Sequence, residues 1–165
     1  MWGGLLVAIT LAMHGFGMLL TARASDAIKE RFEQQQSFVL GMGGIILASW
    51  MIITVHLLEV GVWARFFYWK EAVAASNSNV RLCYYFALMD YTTLGSNYNL
   101  TREWRLLEGM IAIAGLLTFA WSTGVLLTLA QDFQDRQLQL LKQRREKRQL
   151  KNEIAHPPAP PAGSP

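Results

Sequence analysis

The sequence predicts an all-α membrane protein with three transmembrane helices and a short re-entrant helix and loop between the second and third. Three observations carry that prediction. Residues 2–22 and 109–130 contain no Asp, Glu, Lys or Arg, and residues 38–58 contain none either. Across the 165 residues, 52% are hydrophobic and only 16% charged, whereas a water-soluble domain carries about 25% charge. Between the second and third apolar runs lies a stretch too polar to cross a bilayer and too long for a tight turn. This composition excludes a disordered chain, which needs low hydrophobicity and high charge. The lone cysteine, Cys83, excludes an internal disulfide and a multi-cysteine metal site.

A spanning helix needs about 20 mostly apolar residues to cross roughly 30 Å of hydrocarbon. The first span is 1–22. No Lys or Arg precedes its apolar run, the first being Arg23, so it reads as a retained span rather than a cleaved signal peptide. A cytoplasmic loop, 23–37, follows with Arg23, Lys29 and Arg31. The second span runs from Phe38 to about Trp63, uncharged until Glu59, and the third covers Gly109–Ala130. Lys and Arg concentrate on the cytoplasmic side of membrane proteins. Ten of them in 23–37 and after the third span, against five in 64–108, place the N-terminus outside and the C-terminus in the cytoplasm. Trp2, Trp63, Trp69 and Trp104, with Phe66, Phe67 and Tyr68, then gather at the outer interface, where amphipathic rings settle.

The segment between spans two and three centres on Asn79–Tyr91, free of Gly and Pro and preceded by Ser and Asn that suit a helix N-cap. An apolar helix this short is re-entrant or interfacial. Non-helical backbone at membrane depth is tolerated only where it is buried in protein or lines a watery path. A helix, then Thr92-Thr93-Leu94-Gly95-Ser96-Asn97, then a polar return fits that description.

At these residues the chain resembles the small bacterial pore-loop, potassium-channel-like ion channels. YFALMDYTTLG (Tyr85–Gly95), EWRLLEGM (Glu103–Met110) and LLTFAWST (Leu116–Thr123) carry the resemblance, which covers roughly Phe38–Ala130. It implies a pore domain over 38–130, built of an outer helix, a pore helix with its filter loop, and an inner helix. It further implies a homotetramer around one pore and a monovalent cation such as K⁺ as permeant ion, with no bound cofactor. Thr92, Thr93, Leu94, Gly95, Ser96 and Asn97 would form the ion-binding filter. The physics agrees: a dehydrated cation needs a ring of oxygens, and four loops of backbone carbonyls supply one. The loop departs from the potassium pattern Thr-x-Gly-Tyr-Gly-Asp. Ser96 replaces the Tyr that packs behind the filter, Asn97 the second Gly and Tyr98 the Asp. Asn is the non-Gly residue best suited to a left-handed position, so the loop is expected to form with Asn97 in place of the second Gly.

Asp90, near the end of the short helix, is a cavity charge that would raise cation occupancy; its alternative is a carboxyl protonated or hydrogen-bonded behind the filter, or paired with Arg81 or Arg102 of this or a neighbouring chain. Gly115 and Gly124 on the third span are gating-hinge positions or sites of close helix approach. His14, His56 and Glu59 are ionisable groups inside spans, which calls for a functional explanation. His56 and Glu59, three apart, share a helical face. A bis-histidine haem between His14 and His56 is opposed by depth. At about 1.5 Å per residue, His14 lies roughly 18 Å below the outer end of its span and His56 about 9 Å below that of the next. The favoured alternative is that Glu59 anchors the short helix by hydrogen bonds while the histidines pack between helices. Cys83 reads as a packing residue.

Residues 131–154 form a basic helix continuing the third span. Phe133, Leu140 and Ile154 suit a coiled coil interrupted at Lys147, and the seven Lys and Arg of 131–151 suit anionic lipid equally. Nucleic acid is not expected, and 155–165 is a disordered tail. No nucleophile–base pairing, phosphate-binding glycine loop or zinc-ligand spacing appears, so no enzyme is expected. The leading function is a passive cation channel of the bacterial inner membrane. The alternatives are a non-conducting, channel-like accessory subunit and a histidine-bearing redox or metal-transport subunit.

Overall fold

Among the described residues four helices form, three of them where the apolar runs lie. The computed structural model describes residues 1–33, 38–76 and 78–155, with side chains in 1–27, 42–76 and 78–152. Helix α1 spans Trp2–Glu33, α2 Phe38–Trp69, α3 Val80–Tyr91 and α4 Leu106–Ala155. Three of them, over Trp2–Ala27, Met42–Trp69 and Leu106–Asn152, are long and apolar enough to cross a membrane. Among the described residues there is no strand, only one isolated bridge between Val73 and Leu100. The chain divides into two compact units, Met1–Leu127 and Thr128–Pro165.

Helix formation outruns the hydrophobic windows at three places. The segment 23–33, read as loop, continues α1, because ASDAIKERFE holds no Gly or Pro to stop it. Helix α2 runs on past Trp63 to Trp69, and α4 starts at Leu106, before the third window opens. The basic stretch after Ala130 is helical through Ala155. Residues 34–37 and the tail 156–165 lie outside the described residues.

The first unit is apolar outside and buries polar side chains alongside its apolar core. Leu5, Phe16, Ile46, Trp50, Leu58, Leu116 and Trp121 are exposed, while Thr10, His14, Thr21, Glu59 and Thr118 are fully buried. Water would not tolerate such an exterior, and lipid does. Inside the spans, hydroxyls turn back onto their own helix: Thr10 donates to the Leu6 carbonyl at 2.9 Å and Thr21 to that of Gly17 at 2.9 Å. That satisfies a polar group where no water is at hand.

A core of buried apolar side chains surrounds α3. Val60, Trp63 and Phe67 of α2 enclose Cys83, Phe86, Ala87 and Tyr91 of α3 together with Ile111 and Ala114 of α4. Trp63 and Phe67, expected at the interface, are fully buried here, and the Trp63 indole donates to Thr10 Oγ1 at 2.9 Å. The interface cluster is smaller: Trp2 lies 6.0 Å from Phe66 and 6.1 Å from Trp69, and the Lys70 ammonium sits 3.8 Å over the Trp69 ring. Asn79 caps α3, its side chain accepting from the Leu82 amide at 2.9 Å. The flanking segments are stapled together, Ala74 N–H donating to Asn99 O at 2.9 Å and Thr101 N–H to Ala72 O at 2.8 Å.

Candidate functional site

All four helices contribute to one buried polar cluster. Helix α1 supplies His14; α2 supplies His56 and Glu59, one turn apart. Helix α3 supplies Tyr91, its last residue, and α4 supplies Thr118 and Ser122, again one turn apart. The Glu59 carboxylate is fully buried. Its Oε1 lies 3.0 Å from His14 Nδ1, and its Oε2 accepts from the Tyr91 hydroxyl. His56 Nδ1 lies 3.0 Å from the Tyr91 oxygen and 3.5 Å from Glu59 Oε2. The Ser122 hydroxyl bridges the two histidines, 2.9 Å from His56 Nε2 and 3.3 Å from His14 Nε2. Thr118 Oγ1 reaches the Tyr91 oxygen at 2.6 Å. Phe119 stacks on His56 with 4.5 Å between ring centroids, and Trp121 stands 5.5 Å from His14. Among the described residues no buried side-chain nitrogen or oxygen lacks a hydrogen-bond partner.

His14 and His56 therefore sit side by side, 5.2 Å between ring centroids, and the depth difference expected from the sequence does not exist. The cause is the true end of α2. His14 is 12 residues from Trp2 and His56 is 13 from Trp69, and Trp2 packs against Trp69. Equal rises from paired ends bring the rings level. A haem between them does not fit, because the Ser122 hydroxyl occupies the space between the two Nε2 atoms and Phe119 covers the His56 face. The ligand atoms of His14, His56 and Glu59 lie within 4.8 Å of one another, a donor set suited to a divalent transition metal. Each of those atoms already has a hydrogen-bond partner.

The sequence marks Glu59 as an anchor for the short helix, and the Tyr91 contact is such an anchor. Tyr91, Thr118 and Ser122 escape the sequence reading. The spacing of Thr118 and Ser122, two hydroxyls one turn apart in an otherwise apolar run, is the signal that could have found the α4 side. Gly115 lies one turn before Phe119, and α4 crosses so close to the end of α3 there that a Cβ would collide with the Tyr91 carbonyl oxygen. Gly124 has open space instead. Burial pushes the Tyr91 phenol well above its ordinary range, with the Glu59 carboxylate adding to the effect.

After Tyr91 the chain turns outward. Thr93 N–H donates to Asp90 O at 3.0 Å and Leu94 N–H to Met89 O at 3.0 Å. These two bonds make a Schellman C-cap with Thr93 at the left-handed position, φ 62°. A β-branched residue there is strained, since its Cβ crowds the backbone. Gly95 also has positive φ, 74°, which costs glycine little. Asn97, the residue type that tolerates a left-handed position, does not take one. The cap at Thr93 completes the reversal, and the Ser96 hydroxyl bonds the Tyr98 amide and carbonyl, holding 96–98 without it. Thr92 turns its hydroxyl back to Leu88 O at 2.9 Å. Thr93, Leu94, Gly95 and Asn97 are exposed, and Ser96 is half-buried.

Within one chain, Asp90 pairs with neither Arg81 nor Arg102. Its carboxyl accepts the Ser96 backbone N–H and is raised to about 6, by burial first and by the Glu108 carboxylate second. Glu108 in turn accepts the Leu100 amide at 2.7 Å.

Comparison with known proteins gives no match: no family model, curated protein or solved structure corresponds to the chain. Function is therefore read from the site itself.

Proposed function

We propose that the protein is a passive monovalent-cation channel in which four copies surround a pore. In this reading α3 is a pore helix that re-enters the membrane from outside, and residues 92–97 are its filter loop. The N-terminus lies outside and the basic end of α4 in the cytoplasm of a bacterial inner membrane, within reach of anionic lipid. One observation carries the reading. The last residue of α3 is held from behind by side chains of α2 and α4, while the residues directly after it turn outward and stand exposed. An exposed loop anchored at its base is what a carbonyl ring requires, because a cation is selected only where the oxygens cannot collapse or drift. The C-terminal end of α3 carries partial negative charge and points toward this loop, which favours a cation beside it.

Ser96 and Asn97, standing where the potassium filter has Tyr and Gly, argue for weak discrimination among monovalent cations. Full-length protein in proteoliposomes tests this. Wild type is expected to pass K⁺ and Na⁺ with little preference, and Ser96→Tyr combined with Asn97→Gly to gain preference for K⁺. Flux no greater than that of empty vesicles from both proteins would reject conduction and leave a channel-like accessory subunit as the function.

A further inference from the structure

The buried cluster closes on itself. Glu59 Oε1 meets His14 Nδ1, His14 Nε2 meets Ser122, Ser122 meets His56 Nε2, His56 Nδ1 meets Tyr91, and Tyr91 returns to Glu59 Oε2. That is a ring of five links, and each link needs one proton between its two heavy atoms. An ionised Glu59 brings none; neutral His14, neutral His56, Ser122 and Tyr91 bring one each. Four protons cannot fill five links. Wherever the shortfall falls, two lone pairs face each other inside the protein, and the cluster carries a net negative charge within a transmembrane unit. One more proton fills every link and brings the net charge to zero. Both the hydrogen-bond count and the cost of a bare charge in lipid favour the same state.

We propose that this ring is a proton-binding site. It holds one proton beyond those of an ionised carboxylate and neutral imidazoles, and releases it as pH rises. The proton belongs to the ring rather than to one residue, since moving it around the links exchanges a protonated Glu59 for an imidazolium at His14 or His56. The groups facing it are His14 from α1, His56 and Glu59 from α2, and Tyr91 from α3; α4 brings the Ser122 and Thr118 hydroxyls and no charged side chain. Release breaks a link in the ring that holds the last residue of α3. Attachment of α3 is thus tightest at low pH and weakens as pH rises. The proton count stands whether or not the protein conducts; a fall in current on alkalinisation rests on the proposed function.

Glu59→Gln separates this from a merely structural role. The amide accepts at one end and donates at the other, supplying the fifth proton with no charge. For wild type in detergent, the thermal midpoint is expected to fall as pH rises over about 5 to 9, where carboxylate–imidazole clusters titrate. Glu59→Gln should stay folded and lose that slope above about pH 7, beyond the interval in which Asp90 contributes. A direct measurement covers the case in which the variant does not fold. Carbon and nitrogen NMR of wild type near pH 7, labelled at Glu and His, should show either a protonated Glu59 or one buried imidazolium. An ionised Glu59 beside two neutral histidines would overturn the proposal, as would an undiminished slope in folded Glu59→Gln. Stoichiometric zinc in the purified protein, whose removal by EDTA lowers the midpoint, would also overturn it by making the cluster a metal centre.

Discussion

Replacing Tyr91 with Phe deletes one oxygen that Glu59, His56 and Thr118 share, opening the hydrogen-bonded ring, and leaves the aromatic side chain in place. The phenol is buried to 1% exposure, so water cannot substitute for it. Interhelical hydrogen bonds in membrane proteins average about 0.6 kcal/mol because the unfolded chain in lipid also finds partners. Three such bonds give about 2 kcal/mol, and the Glu59 oxygen left facing only His56 at 3.5 Å adds about 1 kcal/mol or more. A loss of about 2–3 kcal/mol raises the population of detached α3 by roughly 30- to 150-fold, at 1.4 kcal/mol per tenfold. Cys83 reports it. It is the sole cysteine, lies on α3 and is fully buried, so alkylation requires α3 to move. In protein held in lipid, Tyr91→Phe should accelerate Cys83 alkylation by about that factor. Tyr84→Phe, which removes an exposed bond to the Leu57 carbonyl at 3.1 Å, should change it less than about threefold. Equal rates in the two variants would refute the role of the ring in holding α3.

Three further outcomes follow from the same geometry. Gly115→Ala should destabilise by about 1–3 kcal/mol, because the new methyl meets the Tyr91 carbonyl backbone, whereas Gly124→Ala should be neutral or better; thermal midpoints in detergent compare the two. Thr93→Gly should raise the thermal midpoint by relieving about 1 kcal/mol of left-handed strain, and Thr93→Val should not. Asp90, raised to about 6, favours the protonated form in the folded state, so its contribution to stability falls as pH rises from about 4 through 6. Under the channel reading, cation current should grow over the same interval as four carboxylates become charged. Asp90→Asn should flatten both curves, measured by thermal denaturation and by flux.

The helices were legible because uncharged runs of the right length have one solution in lipid, and Asn79 marked the start of α3 by its capping chemistry. The end of α2 was not legible. Apolar character fades after Trp63, but Ala64–Trp69 contains no Gly or Pro, and the helix goes on to pack Phe67 into the core. That one boundary set the depth of His56, and with it whether two histidines would meet. The i, i+3 pair of His56 and Glu59 could be read from one strip of sequence. Tyr91, Thr118 and Ser122 join the site only through the rotation and register of three separate helices, which no single segment encodes. Thr93 gave no sign of its left-handed backbone, since a β-branched residue takes that conformation only when its surroundings impose it.

The staple between the segments that flank α3 has an evolutionary consequence. With Ala72–Ala74 hydrogen-bonded to Asn99–Thr101 and α3 packed into the core, the exposed turn that follows Tyr91 returns to a fixed point. Rewriting residues 93–98 need not change how far apart the second and last helices stand. The loop chemistry can therefore drift while the lipid-embedded frame holds still, and TTLGSNY is the kind of sequence such freedom would produce.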